Sequence, residues 1–357
     1  MVNWFLSLTK IGISVYDGFV VKFAQIFFVW SLITRFSSWN LNEYSHLKER
    51  ITAMKLGFVT AILDQEDFKE VVDTAVSIGY ECLEVACWPV EKASRRYAGV
   101  THIDIENLNE RKIQEIKAYC TEKNIEISAL AYYPNMLTEN PEKRNCYIKH
   151  LKNMICAAPR LGVPMITTFI GRMQTKTIEE NLTEFQKVWK PIIELAEKHD
   201  VKIAIENCPM LFGPDEWPGG QNLMTTPAIW RKVFSLIPSR HFGLNYDPSH
   251  FIWQGIDYLR PLYEFREKIF HVHYKDIKIY PEKLKDTGIM AYPLEYMSPK
   301  LPGLGDVDWG KYVSALTDIG YDGCSCIEIE DKAFEGSKEK IIDSLKLSYR
   351  YMRQFII

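Results

Sequence analysis

The chain has 357 residues, of which 47% are hydrophobic and 25% charged, and its formal net charge is −3. These values are typical of a globular protein with a large core, and they exclude a strongly basic surface for nucleic acid. The eight cysteines include no CxxC pair, which favours a reducing compartment and a cytoplasmic location over a disulfide framework.

The first 53 residues differ from the rest of the chain. Their apolar run at 23–34 (FAQIFFVWSLIT) has 12 uncharged residues, whereas a membrane-spanning helix needs about 20. No basic segment followed by a small-residue cleavage site is present, so a signal peptide fits poorly. We predict that residues 1–53 are an appendage outside the catalytic fold and do not span a membrane. A membrane-surface anchor is the alternative.

From Met54 onward, short apolar runs alternate with longer segments whose apolar residues recur every three or four positions. This alternation predicts a parallel sheet covered by helices, and eight such units indicate a (β/α)₈ TIM barrel over residues 54–357. The rival, an open doubly wound sheet, usually carries a glycine-rich phosphate loop after its first strand, and none is found here. The predicted strands are 56–63, 82–87, 126–133, 165–171, 202–208, 242–248, 269–277 and 324–330.

The three longest predicted connections, 88–107, 209–225 and 278–308, all follow strands. They therefore lie on the C-terminal face of the barrel, where active-site loops belong. Trp88, Trp217 and Trp253 lie in these loops or just after a strand, where they suit stacking on a sugar ring or packing beneath a lid.

Four strands in a row place a metal-ligand residue near their C-terminal end. These are Glu206 in KIAIENCP, Asp247 in FGLNYDPSH, His273 in IFHVHYKD and Glu328 in CSCIEIED. Three carboxylates that converge in a barrel mouth would repel one another unless a cation satisfied them. Three oxygen donors and one imidazole favour Mn²⁺, with Mg²⁺ or Co²⁺ as alternatives, over a structural zinc set.

The motifs IENCP, NYDPSH, HVHYKD and IEIED, in this order and spacing, resemble the xylose isomerase-like TIM barrel superfamily. More narrowly they resemble its sugar phosphate isomerase/epimerase family, which includes ketose 3-epimerases and inosose dehydratase. The resemblance covers residues 54–357. It implies that Glu206, Asp247, His273 and Glu328 bind the metal, and that Glu206 and Glu328 also carry protons. His250 matches the substrate-contacting histidine of the ketose epimerases.

The sequence departs from the ketose epimerases at two positions. Where they carry a second glutamate and an arginine, this chain has Phe212 and Ile279. Its HVHYKD is closer to the HxKD pattern of inosose dehydratase-like members. Lys275 shares strand parity with His273 and so is expected to point inward and contact the substrate. The alternative is a salt bridge with Asp276 at the rim.

Three further residues are candidates for binding the substrate. Arg172 ends the fourth strand, Glu84 lies near the end of the second, and His102 lies in a loop of the top face. Each has a structural alternative, such as an ion pair. Two other residues are secondary: His271 is expected to be a core histidine, and Glu330 is an alternative ligand to Glu328.

These observations predict a divalent-metal-dependent isomerase or epimerase for a sugar or polyol. The metal would polarise a carbonyl, and two glutamates would remove and return a proton through an enediolate. Elimination from the same intermediate gives the alternative, a lyase or dehydratase acting on an inosose or 3-keto-glycoside. Two other functions are less favoured. An apurinic-site endonuclease would need a trinuclear zinc site and a basic face, and the sequence lacks both. A non-catalytic sugar-binding protein would not need the two glutamates, which are present. No nucleic-acid partner is expected, whereas a homo-oligomer is possible.

Overall fold

Eight parallel strands close into a barrel in this computed structural model, which describes residues 54–90, 97–211, 213 and 219–356. Each strand pairs with the next along the chain, and the last pairs with the first, so the (β/α)₈ prediction is confirmed. The predicted appendage at 1–53 lies outside the described residues, and its separation from the barrel stays a prediction. The barrel strands are β1 (Lys55–Val59), β2 (Cys82–Ala86), β3 (Glu126–Ala131), β4 (Met165–Thr168), β5 (Lys202–Glu206), β6 (Phe242–Tyr246), β7 (Ile269–Tyr274) and β10 (Cys324–Ile327).

Helices follow the strands and cover the outside of the barrel. Local sequence determines where they start. Asp67 and Glu70 form a capping box at the helix that begins at Phe68, and Thr177 and Glu180 form another at the helix that begins at Ile178. No helix in the described part of the chain is both long and apolar enough to cross a bilayer. The helices are α1 (Phe68–Ile78), α2 (Glu110–Lys123), α3 (Pro141–Leu161), α4 (Ile178–Lys198), α5 (Pro227–Leu236), α6 (Ser249–Ile252), α7 (Arg260–Glu264), α8 (Pro281–Thr287), α9 (Trp309–Asp318) and α10 (Lys338–Arg353).

Along each barrel strand, outward side chains belong to the hydrophobic core and inward side chains face the barrel interior, where the candidate site lies. In β7, for example, Val272 and Tyr274 belong to the main hydrophobic core, whereas His271 and His273 make their contacts inside the barrel. The strand period of two puts Lys275 on the inner side as well. Because adjacent strands pair in parallel register, inward residues at their C-terminal ends meet at one end of the barrel.

The prediction of one strand over 269–277 is wrong. β7 ends at Tyr274, and a separate strand β8 (Asp276–Ile279) pairs antiparallel with β9 (Met297–Lys300) above the barrel. Asp276 explains the break, because its carboxylate accepts hydrogen bonds from Gly303 N at 2.9 Å and Trp309 Nε1 at 2.8 Å. The chain therefore leaves the barrel immediately after Lys275 and holds the following loop in place.

Candidate metal centre

The four predicted ligand residues converge at the C-terminal end of the barrel. Glu206 is the last residue of β5, Asp247 and Glu328 each follow the end of a strand, and His273 is the fifth residue of β7. Each offers one ligand atom, and these atoms all lie within 4.8 Å of one another. The exposed fraction is 3% for Glu206, 0% for Asp247 and 1% for His273. Carboxylates this close together in a barrel interior need pairing with cationic groups or a metal ion.

The inner atoms of the group lie near the charged side chains of Lys275 and His250 but lack hydrogen bonds of standard geometry. Asp247 Oδ1 accepts from Ser249 N at 2.8 Å, while Asp247 Oδ2 has no hydrogen bond of standard geometry among the described residues. The same holds for Glu206 Oε1 and His273 Nδ1. Unsatisfied polar atoms of this kind cost about 1–3 kcal/mol each. A divalent ion would satisfy all three at once, so the donor set fits a metal.

Lys275 lies beside this group. Its Nζ is 2.7 Å from Glu328 Oε2, 3.1 Å from Asp247 Oδ2 and 3.2 Å from Glu330 Oε2. Burial disfavours the ammonium, but these carboxylates outweigh burial and raise the pKa of Lys275 well above its ordinary value. The side chain points into the barrel, as strand parity predicts. The alternative salt bridge with Asp276 is wrong, because that carboxylate binds the loop instead.

His250 lies beside two of the acids, Asp247 and Glu206. It belongs to α6, immediately after β6, and its Nε2 is 3.2 Å from Asp247 Oδ2 and 3.4 Å from Glu206 Oε1. An imidazole at these distances lies next to whatever the acids bind. Its role as a substrate contact stays a prediction.

Glu84 lies in the middle of β2 rather than near its end, and its side chain is fully buried. The carboxylate accepts from His273 Nε2 at 2.6 Å, Tyr133 OH at 2.5 Å and Thr167 Oγ1 at 2.7 Å. Burial alone would raise the pKa of the Glu84 carboxyl, but His273, His271 and Tyr133 lower it to about 2. Glu84 is therefore a charged acceptor directly beneath the candidate metal ligands.

His271 lies one inward position deeper than His273. Its Nδ1 is 3.0 Å from Asn245 Oδ1 and its Nε2 is 3.1 Å from Ser128 Oγ, so both nitrogens have partners. This is the core histidine that the sequence predicts.

A pocket opens above the acids, and its two sides differ in chemistry. Glu206, Glu328, Glu330, Lys275 and Cys208 line one side. The other side, from β1 to β4 and the segments after them, is mainly apolar. It includes Val59, Ala61, Ala86, Ala131, Tyr133 and Phe169.

Of the five predicted substrate contacts, Lys275 lines this pocket, whereas His250, Glu84, His102 and Arg172 are not among the described residues that line it. His102 lies 2.9 Å from Thr60 Oγ1 and 3.1 Å from the carbonyl oxygen of Leu63. Arg172 Nη1 donates to the carbonyl oxygen of Gly219 at 2.6 Å. Both make structural contacts, and their contact with substrate stays a prediction.

The two tryptophan candidates among the described residues, Trp88 and Trp253, have different environments. Trp88 lines the pocket, whereas Trp253 packs against Ile277 and Tyr296 beside the β8–β9 hairpin. Trp217 and Phe212 lie outside the described residues.

Sequence analysis missed three residues that contact the site: Tyr133, Thr167 and Asn245. Asn245 Nδ2 lies 3.1 Å from Tyr133 OH and 2.9 Å from His273 Nε2. The signal was present in strand parity, since Asn245 is two residues before Asp247 and Tyr133 is two after Ala131, which lines the pocket.

Residues 72–351 match the family described as xylose isomerase-like TIM barrel. The chain belongs to this family. An inosose dehydratase of Clostridium perfringens is 24% identical over 260 residues, which cover 70% of this chain and 84% of that protein.

Two solved structures show the same fold as this chain. The IOLI protein with a bound zinc atom superposes with a TM-score of 0.63 at 20% identity, covering 85% of this chain and 99% of the other. D-psicose 3-epimerase from Clostridium cellulolyticum H10 gives 0.59 at 15% identity, covering 85% and 99%. The chain is thus similar in sequence to an inosose dehydratase and in fold to a sugar epimerase.

Proposed function

We propose that this protein is a divalent-metal-dependent isomerase or epimerase acting on a small sugar or polyol. The observation that carries the proposal is the convergence of Glu206, Asp247, His273 and Glu328, with three buried ligand atoms that lack hydrogen-bond partners among the described residues. Relatives whose names include sugar epimerases and inosose dehydratases support a small polyhydroxylated substrate.

In this proposal Glu206, Asp247, His273 and Glu328 hold the ion. When bound, the ion supplies Lewis acidity that polarises the substrate carbonyl and acidifies the neighbouring C–H bond. Mn²⁺ is the proposed ion, with Mg²⁺ and Co²⁺ as alternatives. Zinc in the related IOLI structure makes metal identity a separate question for loading experiments.

Glu206 and Glu328 are the proposed acid–base pair. Both line the pocket and come from opposite ends of the acidic half of the barrel, β5 and β10, so each can serve a different face of the substrate. One glutamate removes the proton α to the carbonyl, which leaves the enediolate of the substrate. Return of a proton to the other face of the same carbon gives an epimer, and return to the adjacent carbon gives the isomer.

Lys275 and His250 are proposed to position the substrate oxygens. The Lys275 ammonium is a donor at the pocket wall, 2.7 Å from Glu328 Oε2, and can hydrogen-bond a developing oxyanion. His250 lies next to Glu206 and Asp247 and can contact a substrate hydroxyl group.

Dehydration is the second candidate. It shares the first proton removal but then expels a hydroxyl group β to the carbonyl instead of returning the proton. The inosose dehydratase relatives favour it, as does Lys275, which belongs to the HVHYKD sequence. An inosose or a 3-keto-glycoside would be the substrate.

Solvent isotope exchange tests the shared step and separates the two candidates. The purified protein with Mn²⁺ is incubated in D₂O with ketoses, inososes and 3-keto-glycosides, and products are followed by mass and NMR. Deuterium in an epimer or isomer supports the leading proposal, and loss of water supports dehydration. If no substrate of any class gains deuterium or loses water, the proposal of α-proton removal is wrong.

A further inference from the structure

Glu84 is an acid of the barrel interior whose two oxygens both accept hydrogen bonds. Three donors reach its two oxygens: Tyr133 OH and Thr167 Oγ1 reach Oε1, and His273 Nε2 reaches Oε2. Its side chain is fully buried, and Ala86, two residues further along the same strand, lines the pocket in its place. A substrate in that pocket therefore meets Ala86 and Tyr133 rather than the Glu84 carboxylate.

The contact with His273 determines which ring nitrogen carries the proton. A neutral imidazole has one N–H and one lone pair, and a carboxylate can only accept. At 2.6 Å from Glu84 Oε2, a lone pair on Nε2 would face a negative charge. The Asn245 amide, 2.9 Å from the same nitrogen, is neutral and also donates to Tyr133 OH, so the carboxylate decides the tautomer and Nε2 donates its proton to Glu84. The lone pair is then on Nδ1, which lies 3.4 Å from Glu328 Oε2 and 3.6 Å from Glu206 Oε1.

We propose that Glu84 is a positioning residue for the metal centre, which acts by fixing the orientation and tautomer of His273. This inference rests on the proposed metal function of His273 and replaces the expectation that Glu84 contacts substrate. A carboxylate behind a metal-binding histidine typically strengthens metal affinity about 10- to 100-fold. Tyr133, which follows β3, and Thr167 on β4 donate to the other carboxylate oxygen, Oε1, and not to the one that binds His273.

The first experiment measures metal affinity without reference to activity. Glu84→Gln keeps the size of the side chain but removes its charge, and Mn²⁺ and Co²⁺ dissociation constants are obtained by competition with a chelating dye. We expect the constants to rise about 10- to 100-fold. Thr167→Val is the matched control, since it removes a donor to Glu84 and leaves the His273 bond intact. Its constants should change much less.

A double-mutant cycle separates an action through His273 from an independent effect. His273→Asn places an amide oxygen near the position of Nδ1 but has no counterpart of Nε2. In that background Glu84→Gln should cause no further loss of metal affinity, because the bond through which Glu84 acts is already absent. Equal losses in both backgrounds would overturn the proposal.

The remaining outcomes are distinct from one another. Unchanged metal affinity with a raised KM in Glu84→Gln would make Glu84 a substrate contact, and unchanged affinity with only a lower melting temperature would make it a structural residue. Either result contradicts the positioning role while leaving the proposed function intact. A wild-type protein that binds neither ion would refute the proposed metal function, and this inference with it.

Discussion

The two halves of the barrel mouth have different chemistry on the same scaffold. Strands β5, β6, β7 and β10 end in acids, a histidine and Lys275, whereas β1 to β4 end in small apolar and aromatic side chains. Both halves use the same strand alternation, with outward residues in one hydrophobic core. The difference lies only in which residues occupy the inward positions near the strand ends.

This contrast indicates that the two halves of the barrel mouth have different functions. The acidic half holds the ion and moves protons, and the apolar half limits the shape of the bound substrate. Glu84 is the exception, since it comes from β2 but lies below the pocket and supports the acidic half through His273. Substitutions in the two halves should therefore alter different measured constants.

The largest effect is expected for the two glutamates. Glu206→Gln and Glu328→Gln keep one oxygen ligand but remove the base, so turnover should fall by roughly 10²-fold or more in each. One variant can still exchange the substrate proton with solvent, because the other glutamate serves one face. Metal content has to be measured alongside rate. Fully metal-loaded variants with near-normal turnover would exclude these residues as the acid–base pair.

Lys275→Met should affect metal affinity and turnover in opposite directions. Removing an ammonium 3.1 Å from Asp247 Oδ2 and 2.7 Å from Glu328 Oε2 removes its repulsion of a cation, so metal should bind more tightly. Turnover should fall about 10-fold, the value of a lost hydrogen bond to a charged group. Weaker metal binding would show that Lys275 supports the acids structurally.

A smaller effect is expected in the apolar half. Ala131→Val adds two methyl groups to the pocket wall, and about 1 kcal/mol of crowding would raise KM several-fold. Metal affinity should not change, because no ligand lies on β3. Ala131→Ser, which is nearly the same size, serves as the control. A change in metal affinity for Ala131→Val would contradict the division between the halves.

The smallest effect is expected at the N-terminus. A chain that starts at Met54 retains every barrel strand and every proposed site residue, so its turnover and melting temperature should match those of the full chain. Gel filtration and activity measured side by side check this. Aggregation or lost activity would place residues 1–53 within the catalytic fold or its assembly.

Strand parity predicted much of the site from sequence. Glu206, Asp247, His273 and Glu328 were identifiable because parallel strands bring their C-terminal ends together, and Lys275 followed from its spacing to His273. Strand parity shows which side chains point inward, but not how deep in the barrel each one lies or which groups it contacts. Glu84 was therefore expected near the substrate, although it lies mid-strand, and a salt bridge between Lys275 and Asp276 was left as an alternative, although Asp276 binds a loop 27 residues later.

The hairpin above the barrel also escaped sequence analysis. Lys275 and Asp276 separate the apolar residues of β7 from Ile277 and Ile279 of β8, but so short a charged step does not by itself distinguish a strand break from a strand that carries site residues. The break depends on contacts with Gly303 and Trp309, which are distant in sequence. Tertiary contacts of this kind are absent from a local pattern.

The most direct test of the central claim is metal content measured together with activity. Elemental analysis should find about one divalent ion per chain, and Asp247→Ala should lose it while keeping its circular dichroism spectrum. Chelation of the wild-type protein should abolish deuterium exchange into the active substrate, and Mn²⁺ or Co²⁺ should restore it. Exchange that persists at full rate in the metal-free protein would contradict the account.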